Sequence, residues 1–263
     1  MTARLLVLVL LGFMTLPTLI VLVASFNPTE IMSFPPSGWS LRWYVNALTY
    51  PQFQRAALNS VIVTGASALV ALPLGTAAAL ALGRGRVRRQ ALWTALLLSP
   101  LVIPGVAAGL GMLILAAALG LITSRGVLIV AHVIVVLPFV VRSVSVSVAN
   151  LDPLLERAAA SLGATPWRVF CRVTLPLLRP GLFAALVFAL IVSINEFVIS
   201  LFISTRVTEI LPVAMFTYVV NYTDPTMAAV SVIFIGATLV AVLLADHYLN
   251  LSRVFQIEER EEA

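Results

Sequence analysis

The sequence has 263 residues, of which 61% are hydrophobic and only 10% are charged, and its mean hydropathy is +1.07. Water-soluble domains contain about 45–50% apolar and about 25% charged residues, so these values exclude a soluble globular fold. All sixteen basic residues are arginines, spread between apolar runs, and the net charge of +5 therefore indicates membrane topology rather than nucleic-acid binding. The single cysteine, Cys171, excludes an internal disulfide and a multi-cysteine metal site.

Six apolar runs are long enough to cross a membrane. A helix needs roughly 20 residues to span about 30 Å of hydrocarbon, and the alternation typical of barrel strands is absent. We therefore predict an all-α polytopic membrane protein with one transmembrane domain over residues 1–263, whose first run is a retained helix. The predicted spans are Leu5 to Phe26, Leu58 to Leu82, Ala91 to Leu119, Val127 to Ala149, Gly181 to Ile203 and Met227 to Asn250.

The arginines predict the orientation of these spans, because basic loops stay in the cytoplasm. With the N-terminus inside, four arginines face outward: Arg42, Arg55, Arg125 and Arg206. The others are cytoplasmic: Arg4, Arg84, Arg86, Arg88, Arg89, Arg142, Arg157, Arg168, Arg172, Arg179, Arg253 and Arg260. The chain is thus predicted to lie in the cell inner membrane with both termini in the cytoplasm. The arginine cluster at 84–89 is interpreted as a topological anchor.

Two external segments are predicted. Residues 27–57 are polar, rich in proline and contain Trp39 and Trp43, which suits a lip at the membrane surface. Residues 204–226 contain the apolar piece Leu211 to Val220, which is too short to span and is predicted to lie at the interface or to be re-entrant.

The third predicted span carries Pro100 and Pro104, followed by Gly105, Gly109 and Gly111. Small residues let membrane helices approach closely, and prolines are tolerated where neighbours satisfy the freed backbone groups. Close packing is therefore the first interpretation of this pattern, and gating flexibility is the second.

Residues 150–180, between the fourth and fifth predicted spans, predict two short helices on the cytoplasmic side. Asp152 suits an N-cap before a proline, and Gly163 suits a left-handed C-cap. Thr165 and Pro166 repeat the starting signal, and Pro176 is predicted to close the second helix. The second helix has one face at helical spacing, formed by Trp167, Phe170, Cys171 and Thr174. That face has to pack on the bundle itself or dock into a partner's groove.

This loop resembles the EAA motif of type I ABC importer permeases. In that motif three residues separate Glu-Ala-Ala from a Gly, and nine residues separate the Gly from Ile-x-Leu-Pro. The matching residues are Ala158, Ala159, Gly163, Val173 at the isoleucine position, Leu175 and Pro176. Arg157 occupies the glutamate position, and Glu156 precedes it by one residue, about 100° around the helix. The resemblance implies that residues 150–180, the coupling loop, contact an ATPase. Pro166, Trp167 and Phe170 lie within the motif, between Gly163 and Leu175.

The resemblance extends over nearly the whole chain and is greatest to the PotC-type spermidine/putrescine permease branch. The stretches that carry it are Ser40 to Tyr44, Asn59-Ser60, Pro100 to Gly105, Ile194 to Ser200 and Leu211 to Val213. It implies a second, different permease subunit, two ATPase subunits that bind ATP and magnesium, and an extracytoplasmic solute-binding protein. The sequence contains no GxxxxGK[ST] phosphate loop, so this chain is not expected to hydrolyse ATP itself. No metal or other cofactor is expected in it. Related branches carry opines, 4-aminobutyrate or aminophosphonates.

The fifth predicted span contains a carboxylate, Glu196, about 22 Å from its start. A charge there is costly, so Glu196 is expected to face a cavity or a partner. At helical spacing Ser193, Glu196 and Ser200 share one stripe, and with Asn195 they are the candidate solute-pathway residues. An interhelical hydrogen-bonding seam or a subunit contact is the alternative. His132 in the fourth span is interpreted as a hydrogen-bonded interior residue in preference to a proton relay.

Other functions lack the features that they require. An ion-coupled secondary transporter is expected to show inverted repeats or several carboxylates in its spans. A membrane enzyme needs a cluster of catalytic side chains near one interface, but the two histidines are far apart in the sequence. A purely structural assembly subunit is a third alternative. The sequence therefore favours a permease that passes a small hydrophilic solute, with a polyamine or a related amino compound as the expected cargo.

Overall fold

The computed structural model describes residues 2–31, 33–85, 87–122 and 124–249, so Arg86, Arg253 and Arg260 lie outside the described residues. Within those ranges every regular element is helical, which confirms the all-α prediction. The helices are α1 Thr2–Ala24, α2 Arg42–Thr49, α3 Pro51–Gly83, α4 Gln90–Leu98, α5 Gly105–Ala118, α6 Arg125–Ala149, α7 Pro153–Ser161, α8 Pro166–Val169, α9 Leu175–Leu177, α10 Arg179–Ile194, α11 Val198–Ile203, α12 Leu211–Asn221 and α13 Thr226–Leu249. A 3₁₀ turn covers Ser99–Leu101 and a π turn covers Phe170–Thr174.

Four of these helices, α1, α3, α6 and α13, are long and apolar enough to cross a membrane unbroken. Two bent pairs raise the number of candidate spans in the described chain to six. One pair joins 90–101 to α5 through a bend of 95°, and the other joins 166–177 to α10 through a bend of 67°. The described chain therefore has the six predicted spans only if each bent pair is counted as one span.

The third span breaks at its two prolines. Helix α4 ends at Leu98, the 3₁₀ turn contains Pro100, and Pro104 precedes the first residue of α5. Proline lacks an N–H and its ring clashes with the preceding turn, so a straight helix through both residues is unfavourable. The single continuous helix predicted for 91–119 is wrong for this reason.

Helix α5 packs closely on α11, which supports the packing interpretation of the glycines. A Cβ at Gly109 would lie 2.7 Å from Cδ2 of Phe202 and 3.2 Å from the backbone Cα of Ile199. A Cβ at Gly111 would meet nothing within 4 Å. Of these two glycines, only Gly109 is required by the close approach of the helices.

The chain divides into two compact units, and α3 runs from one into the other. The single-domain prediction stays a prediction. In the unit formed by residues 59–209, the core lies between α3, α6 and α10. Most of its fully buried members are small or β-branched, and they include Ala68, Ala71, Val136, Val140, Val144, Ala185 and Ala189. Small side chains on α3 and α10 let both helices approach the valines of α6 closely.

In the unit formed by residues 1–58 and 210–243, aromatic residues of the predicted external segments form the core. Trp43 on α2 is buried and donates its indole N–H to the carbonyl of Asn27 at 2.6 Å. Tyr218 on α12 packs against Phe53 at a ring distance of 5.1 Å. The short apolar helix predicted near 211–220 is present as α12, and its location at a membrane surface stays a prediction.

Candidate functional site

The first helix of the coupling loop starts and ends at the residues that the sequence indicates. Asp152 caps α7, since its carboxylate accepts the N–H of Leu154 at 2.8 Å. At the other end Gly163 has a φ of +83°. The N–H of Gly163 donates to the carbonyl of Ala160, and the N–H of Ala164 donates to that of Ala159. This pair of bonds is a Schellman motif, which requires a left-handed residue at Gly163.

The second helix begins as predicted but ends later. The hydroxyl of Thr165 caps α8 by accepting the N–H of Arg168, and Pro166 occupies the first helical position. Helix α8 then continues through the π turn into α9, which contains Pro176 and ends at Leu177. The prediction that Pro176 closes this helix is wrong, because local π geometry can accommodate the backbone carbonyls that a proline leaves without a partner.

A partly buried polar contact ties the coupling loop to the end of α3. The carboxylate of Glu156 on α7 pairs with the guanidinium of Arg84 and accepts a hydrogen bond from the hydroxyl of Thr174. Thr174 is buried, and the side chains of Arg84 and Glu156 are about one quarter exposed. The contact is not predictable from the local sequence, since Arg84 lies 72 residues away from Glu156. The only sequence signal was the shift of Glu156 by one position from the motif's glutamate.

The opposite surface of the loop is exposed and apolar. Trp167 is 71% exposed and stacks on Phe170 with 5.6 Å between ring centroids. Leu162 and Leu155 on α7 are 89% and 48% exposed. Because Thr174 is buried while Trp167 is exposed, the four residues predicted for one face do not share one environment. The remaining candidates range from exposed to half-buried: Arg157, Ala158 and Pro166 are exposed, and Ala159, Leu175 and Pro176 are half-buried.

The fifth span breaks where the sequence analysis placed a continuous helix. Helix α10 ends at Ile194, residues 195–197 are not helical, and α11 starts at Val198. The carboxylate of Glu196 accepts the N–H of Ile199 and so caps the first turn of α11, and the side-chain amide of Asn195 donates to the carbonyl of Ile191, which also accepts the backbone N–H of Asn195. Such local bonds compete with the helix. The predicted single stripe of Ser193, Glu196 and Ser200 is therefore wrong.

Ser193 and Ser200 instead meet at His132, on opposite sides of the break. The His132 ring nitrogens lie 2.8 Å from Oγ of Ser193 and 2.9 Å from Oγ of Ser200. Ser193 also donates to Oγ1 of Thr64 on α3 at 3.2 Å. All four side chains of this His132 cluster are buried. The interpretation of His132 as a hydrogen-bonded interior residue is confirmed, and the cluster joins α3, α6, α10 and α11.

Glu196 lies apart from that cluster and lines a cavity of about 440 Å³. The cavity wall is formed by the third-span break, α5 and α6, with residues such as Pro100, Gly105, Met112, Ala131 and Ile134. Among its lining residues Glu196 alone is charged. Glu196 is half-buried, and its neighbour Asn195 is exposed. One carboxylate in a mainly apolar wall suits a cationic group of a small solute.

The described residues include no group of three or more His, Cys, Asp or Glu side chains placed to hold a metal ion. The candidate site thus consists of the coupling loop and the Glu196 cavity. The first offers a docking surface, and the second offers space and a negative charge.

Comparison with curated proteins gives relatives of nearly full length. The chain is 32% identical over 266 residues to the putrescine transport system permease protein PotI of Escherichia coli K12, with 98% of this chain and 94% of the relative covered. It is 32% identical to a protein named as a putative 2-aminoethylphosphonate permease, PhnV of Salmonella typhimurium, over 88% of this chain and 87% of that protein. It is 28% identical to the spermidine/putrescine permease PotC of E. coli K12, with 89% and 91% covered.

The fold is also found in solved structures. A bacterial ABC transporter that imports the polysaccharide alginate matches with a TM-score of 0.74 at 15% identity, covering 94% of this chain and 95% of that one. The alginate transporter in complex with its periplasmic protein matches with a TM-score of 0.72 at 20% identity, over 94% and 92%. The model of the binding-protein-dependent transport system inner membrane component matches residues 71–250. The chain therefore belongs to this family and is a membrane permease component of an ABC importer, with ATP hydrolysis assigned to a separate subunit.

Proposed function

We propose that this chain forms half of the pathway through which a small cationic amine, a polyamine such as putrescine, enters the cell. A second, different permease supplies the other half, and two ATPase subunits bind ATP and magnesium. An extracytoplasmic protein delivers the solute. Both termini and the coupling loop then lie in the cytoplasm, as the arginine distribution predicts. The observation that carries the proposal is the single carboxylate of Glu196 in the wall of the 440 Å³ cavity.

The coupling loop supports the part of the proposal that concerns the ATPases. The side chains of Trp167 and Leu162 are exposed, although burial of a large apolar side chain contributes about 1.5–3 kcal/mol of stabilisation. Exposed apolar patches mark interaction sites. Helices α7 and α8 are held by their caps, so they present this surface in a fixed geometry, as helix-in-groove docking needs.

The Glu196 cavity supports the choice of solute. A carboxylate attracts a cation more strongly in a low-dielectric cavity than in water. The amide N–H of Ile199 satisfies one carboxylate oxygen of Glu196, so the other oxygen is available to a solute ammonium group. Two of the relatives named above carry putrescine or spermidine in their names, and these compounds offer several ammonium groups without a negative charge.

A second candidate solute is 2-aminoethylphosphonate, because a relative at 32% identity bears that name. Its ammonium group suits Glu196 equally well. Its phosphonate, however, is repelled by a lone carboxylate in an apolar wall. A polyamine is therefore favoured by the charge of the cavity.

The test is uptake of radiolabelled putrescine and 2-aminoethylphosphonate by proteoliposomes that contain the complete importer with its binding protein. Putrescine uptake is expected, and the variant Glu196→Gln should reduce it about tenfold or more, which corresponds to 1.4 kcal/mol of lost attraction. Glutamine keeps the oxygen that caps Ile199, so the fold is retained.

Glu30→Gln is a matched control, since it makes the same exchange at a carboxylate that is 77% exposed and lies outside the cavity lining. Its uptake should equal that of the wild type. Equal uptake by Glu196→Gln in an assembled complex would contradict the pathway role. Uptake of the phosphonate but not of putrescine would replace the proposed solute by the second candidate.

A further inference from the structure

The carboxylates of the coupling loop have partners within this chain. Residues 150–180 contain two acidic residues, Asp152 and Glu156. The first caps α7 through the N–H of Leu154. The second pairs with Arg84 and accepts a hydrogen bond from Thr174. Both carboxylates therefore serve the loop's own geometry.

The arginines of the same loop are presented to the outside. Arg157, Arg168, Arg172 and Arg179 are all exposed. Ion pairs form at other arginines, namely Arg42 with Glu30 and Arg84 with Glu156. The four exposed guanidinium groups thus have no carboxylate partner in the part of the chain that the structure describes.

Arg157 lies beside the apolar part of this surface. On α7 the two least exposed residues are Glu156 and Ala159, which mark the side of the helix that faces the protein. At 100° per residue, Arg157 shares the outward side with Leu154 and Ser161. Leu154 is 63% exposed. A partner that covers this leucine also covers the guanidinium of Arg157.

We infer that the ATPase subunit presents an aspartate or glutamate side chain opposite Arg157. A charge enclosed in an interface without a counter-charge is strongly unfavourable, and guanidinium pairs with carboxylate in a bidentate geometry. Arg157 stands where the EAA motif has glutamate, so this loop offers the opposite charge at that point of the interface. The inference rests on the proposed docking of the coupling loop on the ATPase.

The chain contains no lysine, which permits a site-specific test. Arg157→Lys keeps the charge and introduces the one lysine amine of the chain. A carbodiimide joins an amine only to a carboxylate in direct contact with it. The complete importer is purified with its ATPase, treated with the reagent and digested, and peptides that contain residue 157 are identified by mass spectrometry. Wild-type complex defines the background from other amines, and Arg206→Lys provides an exposed lysine on the predicted outer side.

The expected result is a cross-link from residue 157 to an aspartate or glutamate of the ATPase. The cross-linked peptide should be absent from the wild-type and Arg206→Lys complexes. Reversal of the charge by Arg157→Glu should also reduce the ATPase retained by the complex at low salt. If ATPase co-purifies but residue 157 gives no cross-link to it, the inference is overturned while the proposed docking stands. If no ATPase co-purifies even with wild type, the proposed function itself has failed, and the inference fails with it.

Discussion

The coupling loop and the break in the fifth span contrast in how they are held. The loop's helices are defined by local signals, namely Asp152, Gly163 and Thr165, and most of its candidate residues are exposed. The break is held by the His132 cluster, whose members come from four helices and are buried. Substitutions in the loop should therefore change association with a partner, whereas substitutions at the break should change stability. Each prediction below tests one side of this contrast.

The largest effect is expected from the double substitution Trp167→Ala and Phe170→Ala. Loss of two large apolar side chains from the proposed interface removes about 3 kcal/mol or more of binding, which is roughly a hundredfold in affinity. Because Trp167 is 71% exposed, the stability of the permease should change by about 0.5 kcal/mol or less. Co-purification of the ATPase and the thermal midpoint of the permease are the two measurements. Normal retention of the ATPase would refute the docking surface.

The next effect is expected at the break, from His132→Leu. The substitution leaves the buried hydroxyl of Ser200 without its partner, which costs about 1–3 kcal/mol. The thermal midpoint in detergent should fall while the ATPase is still retained at low temperature. Ser204→Ala is the control, since the Ser204 hydroxyl is buried and has no partner among the described residues. An equal loss of stability in both variants would show that the hydrogen bonds of the His132 cluster do not stabilise the break.

The packing of α5 on α11 predicts that alanine substitutions at two glycines change stability in opposite directions. Gly109→Ala places a methyl group 2.7 Å from the Phe202 ring and 3.2 Å from the Ile199 backbone, and such overpacking costs about 1–3 kcal/mol. Gly111→Ala meets open space and should stabilise the helix by about 0.5–1 kcal/mol. Thermal midpoints of the two variants test the difference. A stabilised Gly109→Ala would mean that the two helices are not in close contact.

The last prediction concerns the turn at Gly163. A Cβ atom there meets nothing within 4 Å, so the main cost of Gly163→Val is that of a left-handed backbone, about 1–2 kcal/mol. Asparagine tolerates this conformation, and Gly163→Asn should therefore retain ATPase-coupled uptake where valine reduces it. Uptake assays on both variants are the measurement. Equal uptake by valine and asparagine would indicate that the turn does not direct the second helix.

The sequence predicted those features that depend on a few adjacent residues. Apolar length predicted the helices, and Asp152, Pro153, Gly163 and Thr165 predicted the ends of α7 and the start of α8. The break at Asn195 was missed because residues 181–203 remain apolar enough for one helix. The two sides of the break are held by His132, which is 61 residues away from Ser193. Long-range partners of this kind have no signature in the local pattern.

Within the coupling loop the same limit applies to Glu156. Its displacement by one position from the motif's glutamate was visible, but its pairing with Arg84 depends on how α3 ends beside the loop. The pathway roles of Ser193, Asn195, Glu196 and Ser200 stay predictions. The structure separates them into two buried serines, one exposed amide and one carboxylate in a cavity wall.

The π turn at 170–174 gives the loop unequal tolerance to insertions and deletions. A π turn contains one residue more per hydrogen-bonded ring than an α-helix, so it is equivalent to a one-residue insertion that the helix has absorbed. Removal of one residue there would convert it to an α turn and leave the direction of the chain that follows nearly unchanged. Insertion of a further residue would rotate that chain by about 100°. Helix α10 begins five residues after this turn, so Ser193 would then turn away from His132. A single-codon deletion at this turn should therefore be better tolerated than a single-codon insertion, which a deletion and insertion scan across the loop would measure.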